Sequence, residues 1–311
     1  STKQGMDDSA VGKVTVAPLP WPAETVDCGP GDILRFPPFD DDAHKGERGR
    51  VLVIGGGPYH GAPLLAGTAA ARSGCDLVHV AMPRDALERA EWPSHLIPER
   101  LPDDERLAER SPEFISELLE SSRIDAAVIG PGLGRHEDTE ESVTQILALL
   151  TDADIPTVID ADALYSLSPG AWPVGLRGVA TPHKQELNIW MWNETPQSAL
   201  AAAQEGFSDP ESCVIIRTGA VDQLHGLEAR RCDCRGGHPR MATGGTGDLL
   251  AGTIAGLLAQ GMNPWPAARL GCHLLRRAGA AAAAEHGPGM LASDVPIHIS
   301  KQLMLLLGEI G

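Results

Sequence analysis

Residues 241–258 place three glycines, Gly244, Gly245 and Gly247, ahead of a single carboxylate, Asp248. An apolar run at helical spacing follows: Leu249, Leu250, Ile254, Leu257 and Leu258. Glycines of this kind let a backbone take positive φ and bring its amides close to a ligand. A helix that starts there adds unpaired N–H groups and the positive end of its dipole, the usual setting for a bound phosphate. The spacing predicts a glycine-rich turn feeding a buried helix, with Asp248 at or near the N-cap. The chemistry on offer is anion binding by the amides of 244–247, with an ionised carboxylate aimed at whatever they hold. Aspartate is also an ordinary helix cap, so the rest of the chain has to decide between these readings.

The elements that would position this turn alternate regularly. Short apolar runs at 50–54, 77–81, 125–129, 157–160, 178–180 and 213–217 read as buried strands. Helical patterns occupy 64–73, 84–91, 112–121, 138–151 and 196–204, with two more at 264–285 and 293–307. Residues 224–240 read as a hairpin or loop. The alternation predicts a layered α/β fold, three layers deep, around a mostly parallel sheet. Residues 1–43, rich in Pro, Gly and Asp, read as an extended arm before a single domain over 44–311. The unusual residues fall directly after strands: 55–63, 130–134, Asp160 with Asp162, 181–183, 218–222 and 244–248. In a parallel sheet these carboxyl ends share one edge, where α/β proteins bind ligands. Six such loops describe a long cleft.

Composition excludes several classes. A net charge of −17 opposes a nucleic-acid partner. No apolar run reaches the length of a membrane span, and the basic-then-apolar layout of a signal peptide is missing, so a cytoplasmic location is expected. Five of the 25 basic residues are Lys, a halophile-like balance in which salt screens a large negative charge. Six cysteines in such a chain read as reduced thiols. Cys232 and Cys234 with His238 lack the second ligand pair of a zinc site. The first turn is not Gly-x-Gly-x-x-Gly, and no P-loop motif occurs.

Single residues leave alternatives open. His183 is either a ligand contact or a strand-end histidine bonded to backbone, and Asp160 and Asp162 are either paired carboxylates or helix caps. Tyr59 is either packing or cleft wall. Arg217, closing a buried strand, suits a phosphate better than a core. Glu186, one turn past His183, is either a solvated helix residue or its supporting partner, with the second favoured.

Taken together, the motifs resemble the ADP-dependent NAD(P)H-hydrate dehydratases of the ribokinase-like superfamily. His44-Lys45-Gly46 with Val51 to Pro63, the Tyr59-His60-Gly61-Ala62 segment, Gly130-Pro131-Gly132-Leu133-Gly134, Asp160-Ala161-Asp162-Ala163-Leu164, Thr181-Pro182-His183 and 242–248 carry the resemblance over residues 44–285. It implies a ribokinase-like α/β/α fold and repair of damaged nicotinamide cofactors. The S-forms of NADHX and NADPHX would be dehydrated at the expense of ADP, with Mg²⁺ expected on the phosphates and no protein ligands for it evident. By position, Ala62, Gly132, Gly134 and His183 would line the hydrate site and Asp248 would meet the hydrate's hydroxyl. Thr218, Gly219, Ala220, Val221, Asp222, Thr243, Gly244, Gly245 and Gly247 would hold the adenine nucleotide. The chain departs from the pattern at Thr218-Gly219, where many relatives have Lys-Gly, and at Leu164-Tyr165, where Leu-Asn is common. The resemblance is to the stand-alone form, without the epimerase domain of bifunctional relatives. The Ala-rich helix at 264–285 suits either the sheet or a second copy in a homo-oligomer.

The chemistry agrees with that implication. Hydroxide leaves poorly and phosphate leaves well, so transfer needs a carboxylate to take the hydroxyl proton and fixed N–H groups for the moving phosphoryl. Two rivals use the same residues: a small-molecule kinase of the same superfamily that stops at phosphoryl transfer, and a non-catalytic nucleotide-binding protein. A carboxylate at the anion turn weighs against the second, because it would weaken simple phosphate binding.

Overall fold

The computed structural model describes residues 27–310 except 40, 41, 43 and 45; Lys45 and most of the expected arm lie outside the described residues. Nine strands form one sheet in the order β3-β2-β1-β4-β5-β6-β7-β8-β9. They are β1 Arg50–Ile54, β2 Leu77–Met82, β3 Ile97–Arg100, β4 Ala126–Ile129, β5 Thr157–Ile159, β6 Gly178–Ala180, β7 Cys213–Arg217, β8 Asp222–Gly226 and β9 Arg231–Cys234. Strands β1 to β7 are parallel; β8 runs against β7, and β9 against β8, so β9 again points with the parallel set. Of the hairpin or loop expected over 224–240, the structure has a hairpin, and it begins earlier, at Asp222.

The helices are α1 Gly61–Arg72, α2 Arg84–Arg89, α3 Ser111–Ser121, α4 Glu137–Asp152, α5 Lys184–Met191, α6 Pro196–Ala203, α7 Thr246–Ala259, α8 Pro264–His286 and α9 Pro296–Ile310. Alternation along the strands sends successive side chains to opposite faces. Val51, Val53, Val78 and Val80 pack with residues of α1, α7, α8 and α9 on one face. Leu52, Ile54, Ala127 and Ile129 pack with residues of α3, α4, α5 and α6 on the other. The result is the expected three-layer α/β/α fold. Among the described residues, no helix is long and apolar enough to cross a membrane.

Strand β3 and helix α5 escape a periodicity reading. The sequence of β3, Ile97-Pro98-Glu99-Arg100, carries a proline and two charges, a composition tolerated at a sheet edge, where this strand lies. Helix α8 packs along β6 to β9 and against α7 and α9, with most of its alanines and Arg269 and Arg276 buried. Within the span expected as an arm, Pro30–Arg35 forms a 3₁₀ helix whose Ile33 is in the core. Its Asp32 Oδ1 accepts from Arg269 Nε at 2.7 Å, a pairing with almost no solvent access.

Helices α1 and α7 approach so closely that small residues are obligatory between them. A Cβ on Gly252 would overlap the Ala66 carbonyl, and one on Gly256 would crowd Ser73 and Ala70. Gly252→Ala is expected to cost roughly 2–3 kcal/mol and to shift α7 against α1. A thermal melt checks the cost, and a wild-type melting temperature would refute the contact.

Candidate active site

The loops after β1, β4, β5, β6 and β7 all leave the carboxyl edge of the sheet. Because β9 runs with the parallel set, the chain returns to that edge before α7 begins. The glycine turn does not follow β9 directly, however. A short 3₁₀ helix, Pro239–Ala242, intervenes, with Arg240 Nη2 donating to the Met290 carbonyl at 2.6 Å. Thr246 Oγ1 donates to the carbonyls of Met241 at 2.6 Å and Thr243 at 3.0 Å and ties the turn closed.

Asp248 lies near the N-cap of its helix and not at it. The N-cap of α7 is Gly245, at φ 97°, and Asp248 is the third helical residue. Glycine is required at the cap, since a left-handed φ strains any other residue and a Cβ there would press on Leu65 and Ala292. A place in the first turn improves the geometry for chemistry. The amides of Thr246, Gly247 and Asp248 belong to the first turn and lack intrahelical acceptors, while the carboxylate stands beside them.

Asp248 is one of four carboxylates that sense one another. Its pKa is pushed up to about 7, chiefly by burial and then by the charges of Asp160 and Asp162, with Glu186 adding to them. Asp160 is buried, and burial raises its pKa as well, against the pull of its hydrogen bonds. Its Oδ1 accepts from Thr181 Oγ1 at 2.7 Å. Asp162 Oδ2 accepts the Gly134 amide at 2.8 Å, which joins the β5 loop to the β4 loop. Between the two acids Ala161 sits at φ 48°, a conformation costly for a residue with a Cβ. Gly130, at φ 129°, lets the Asp160 carbonyl pack directly on its Cα, where a Cβ would overlap it.

His183 caps α5. Its Nδ1 accepts the amides of Gln185 at 3.2 Å and Glu186 at 3.1 Å. Its own amide donates to Glu186 Oε2 at 2.8 Å, completing a capping box. With the Nδ1 lone pair used in this way, a neutral ring carries its proton on Nε2, the edge left for a ligand. Glu186 is therefore the partner that the sequence reading favoured. Burial raises its pKa, and the bonds to His183 oppose that rise.

The loop expected to line the hydrate site and the loop expected to hold the nucleotide meet here. His183 forms a parallel bridge with Thr218, and the Thr218 amide donates to the Pro182 carbonyl at 3.0 Å. Gly219 and Ala220 are exposed and Val221 is half-buried, whereas Asp222 is buried. Its Oδ1 accepts the Gly219 amide at 3.1 Å and its Oδ2 accepts from Arg276 Nε at 2.7 Å. Arg276 also donates to the carbonyls of Gly219 at 2.7 Å, Ala220 at 3.0 Å and Gly236 at 2.8 Å. Sequence reasoning missed this arginine, which lies 54 residues from Asp222 inside an Ala-rich helix.

The remaining residues divide by exposure. Ala62, in the first turn of α1, is half-buried, Thr243 is half-buried, and Gly244 and Gly247 are exposed. Gly132 is buried, its Cα against the Tyr59 carbonyl, so it shapes the loop. Tyr59 is exposed, which removes the packing alternative. Arg217 is exposed at the end of β7.

Cys232 and Cys234 are buried, Cys232 Sγ lies 3.3 Å from Cys28 Sγ, and His238 Nδ1 accepts the Arg240 amide at 3.1 Å. Among the described residues, the His, Cys and carboxylate side chains close enough to share an ion are Glu285, His286 and His298, at the corner between α8 and α9.

Residues 51–301 match the NAD(P)H-hydrate dehydratase family. A bifunctional NAD(P)H-hydrate repair enzyme from Hyperthermus butylicus is 36% identical over 295 residues, 91% of this chain. The chain spans 54% of that relative's length. An ADP-dependent (S)-NAD(P)H-hydrate dehydratase from Cenarchaeum symbiosum is 33% identical over 276 residues, covering 86% of this chain and 93% of its own. In fold, the chain resembles an ADP/ATP-dependent NAD(P)H-hydrate dehydratase from Bacillus subtilis, co-crystallised with ATP and Mg²⁺. The TM-score is 0.69 at 22% identity, over 93% of this chain and 99% of that one. With the family match running from β1 into α9, and with an acid, a helix-capping histidine and a glycine turn gathered at one edge, this chain belongs to the NAD(P)H-hydrate dehydratase family.

Proposed function

We propose that the protein dehydrates the S-form of NADHX or NADPHX using ADP, and releases NADH or NADPH, AMP and phosphate. The observation that carries this reading is Asp248, a half-buried carboxylate whose pKa is pushed up to about 7, beside the first-turn amides of Thr246 and Gly247. A base is most useful when its pKa lies near the working pH.

Asp248 takes the proton of the hydroxyl at ring carbon 6 as that oxygen attacks the terminal phosphorus of ADP. A P–O bond forms to the hydrate, the bond to AMP breaks, and the amides of Thr246 and Gly247 meet the charge on the moving phosphoryl. The ring nitrogen lone pair then expels phosphate from carbon 6. Loss of a proton from the neighbouring carbon restores the dihydropyridine. His183 Nε2–H, aimed by Glu186, offers the hydrate a fixed donor, with Ala62 and Gly134 as the close wall. Thr218 to Val221 and 243–247 hold the nucleotide, and Asp222 acts through that loop. Mg²⁺ carried on the phosphates would neutralise charge there, and Asp160 and Asp162, hard oxygen donors, suit its water shell.

The test is to add ADP to hydrated NADH and follow the near-ultraviolet absorbance of dihydronicotinamide. Recovery with equal amounts of AMP and phosphate supports the reading. No recovery, with phosphorylation of another alcohol instead, makes the protein a small-molecule kinase. The pH profile tests the base separately. Asp248 works only when ionised, so kcat/KM should fall tenfold per pH unit below a midpoint of about 7 and level off above it. A midpoint near 4, the ordinary range for Asp, would reject the assignment.

A further inference from the structure

The order of the loops along the edge leaves half of a dinucleotide unaccounted for. Helix α7, which carries Asp248, packs against β1, β4 and β5. The nucleotide loop follows β7, to one side of these strands, and β2 and β3 lie to the other. A dinucleotide whose hydroxyl sits at Asp248 while ADP arrives from the β7 side must send its other half toward β2 and β3.

A cavity of about 440 Å³ lies there, walled by Gly57 after β1, Arg89 on α2, Arg106 after β3, and Gly134, Arg135 and His136 after β4. Gly134 joins it to the acid cluster through its bond to Asp162. Two acidic residues also line it, and both are matched: Asp85 pairs with Arg84 at 3.3 Å and Glu105 with Arg106 at 3.2 Å. His136 and Arg106 both approach Asp138, at 3.3 and 3.9 Å.

Arg89 and Arg135 are different. Arg89 donates to the carbonyls of Gly57 at 2.6 Å and Asp85 at 3.1 Å. Arg135 lies 3.7 Å over the Tyr165 ring. Among the described residues, neither has a carboxylate at ion-pair distance. In a chain of net charge −17, two guanidiniums held by carbonyls and a ring keep their charge for a ligand. Among the described residues Arg135 donates no hydrogen bond besides this ring contact, so its N–H groups are available to phosphate oxygens.

We propose that this cavity binds phosphate oxygens of the adenosine half of the hydrated dinucleotide, with Arg135 as the principal contact; this rests on the dehydratase reading. The shared chemistry is a phosphate group, supplied either by the pyrophosphate bridge or by the 2′-phosphate of the NADP form.

The test compares Arg135→Gln and Arg135→Glu with the wild type on both hydrates, and titrates NADP⁺ into each protein by calorimetry. Loss of a charged hydrogen bond should raise KM on the order of tenfold to hundredfold in Arg135→Gln, more in Arg135→Glu, with kcat nearly held. An equal rise for both hydrates assigns the pyrophosphate, and a rise confined to NADPHX assigns the 2′-phosphate. Unchanged KM for both hydrates in both variants overturns the proposal. If the wild type turns over neither hydrate, the dehydratase reading falls and the calorimetry alone judges the cavity. Weaker NADP⁺ binding in Arg135→Glu keeps it; equal or absent binding removes it.

Discussion

Asp248→Asn should lose on the order of a thousandfold or more in kcat/KM and, above neutral pH, melt at a higher temperature than the wild type. The first effect follows from the chemistry: the amide keeps the shape but cannot accept the hydroxyl proton. ADP binding, if it rests on the backbone amides of the turn, should be kept or tightened by calorimetry, because the substitution also removes a negative charge beside the phosphates. The second effect follows from linkage. The folded pKa of about 7 lies above the ordinary 3.8, raised first by burial and then by Asp160 and Asp162. Below the unfolded value both states are protonated and the side chain costs nothing. Between the two values the folded state keeps a proton that the unfolded state gives up. Above 7 the carboxylate is ionised against burial and like charges, and the whole penalty, up to about 4 kcal/mol, bears on the fold. The substitution removes it, so the gain should be largest near about pH 8 and vanish below about pH 4. Retained activity would sink the mechanism; a lower melting temperature at alkaline pH would sink the electrostatics.

Arg276→Ala should be the most damaging change apart from one at the proposed base, Asp248. It strands Asp222, which is 5% exposed, and a buried charge deprived of its partner costs about 3–5 kcal/mol. It also frees the carbonyls of Gly219 and Ala220, so the protein that still folds should show a raised KM for ADP and an ordinary KM for the hydrate. The double change Arg276→Met with Asp222→Leu separates the two effects. Stability should largely return, since apolar replacement of a buried pair is often neutral, while the ADP defect remains. Recovery of both would mean that the arginine does nothing for the loop.

The sequence was readable where local chemistry and local geometry coincide. Each parallel strand from β4 to β7 is a short apolar run closed by Gly, Pro, Asp or Thr, so both the strand and its place at the edge could be named. The glycine turn before α7 is equally plain, and so is Asp248 near its cap; that the cap itself is Gly245 depends on a left-handed φ that residue types do not show. Helix α5 was hidden because its cap is a histidine, which few capping rules anticipate, and the box with Glu186 becomes visible only when both bonds are seen. The buried arginines could not be read at all. Arg269 meets Asp32 across 237 residues, and no spacing rule links an Ala-rich helix to a lead-in segment. Asp160 and Asp162 could be read as a pair. That Glu186 and Asp248 join them, and that their charges add to burial in raising the Asp248 pKa, depends on how the ends of β5 and β6 meet α7.

The β8–β9 hairpin has a consequence of parity. Each antiparallel strand reverses the chain's heading, and two reversals return it to where β7 left it. One strand fewer, or one more, would deliver the glycine turn to the amino-terminal rim, a full strand's length from the histidine and the acids. Growth or trimming at this flank of the sheet is therefore constrained to come in twos: whole hairpins can be gained or lost, single strands cannot.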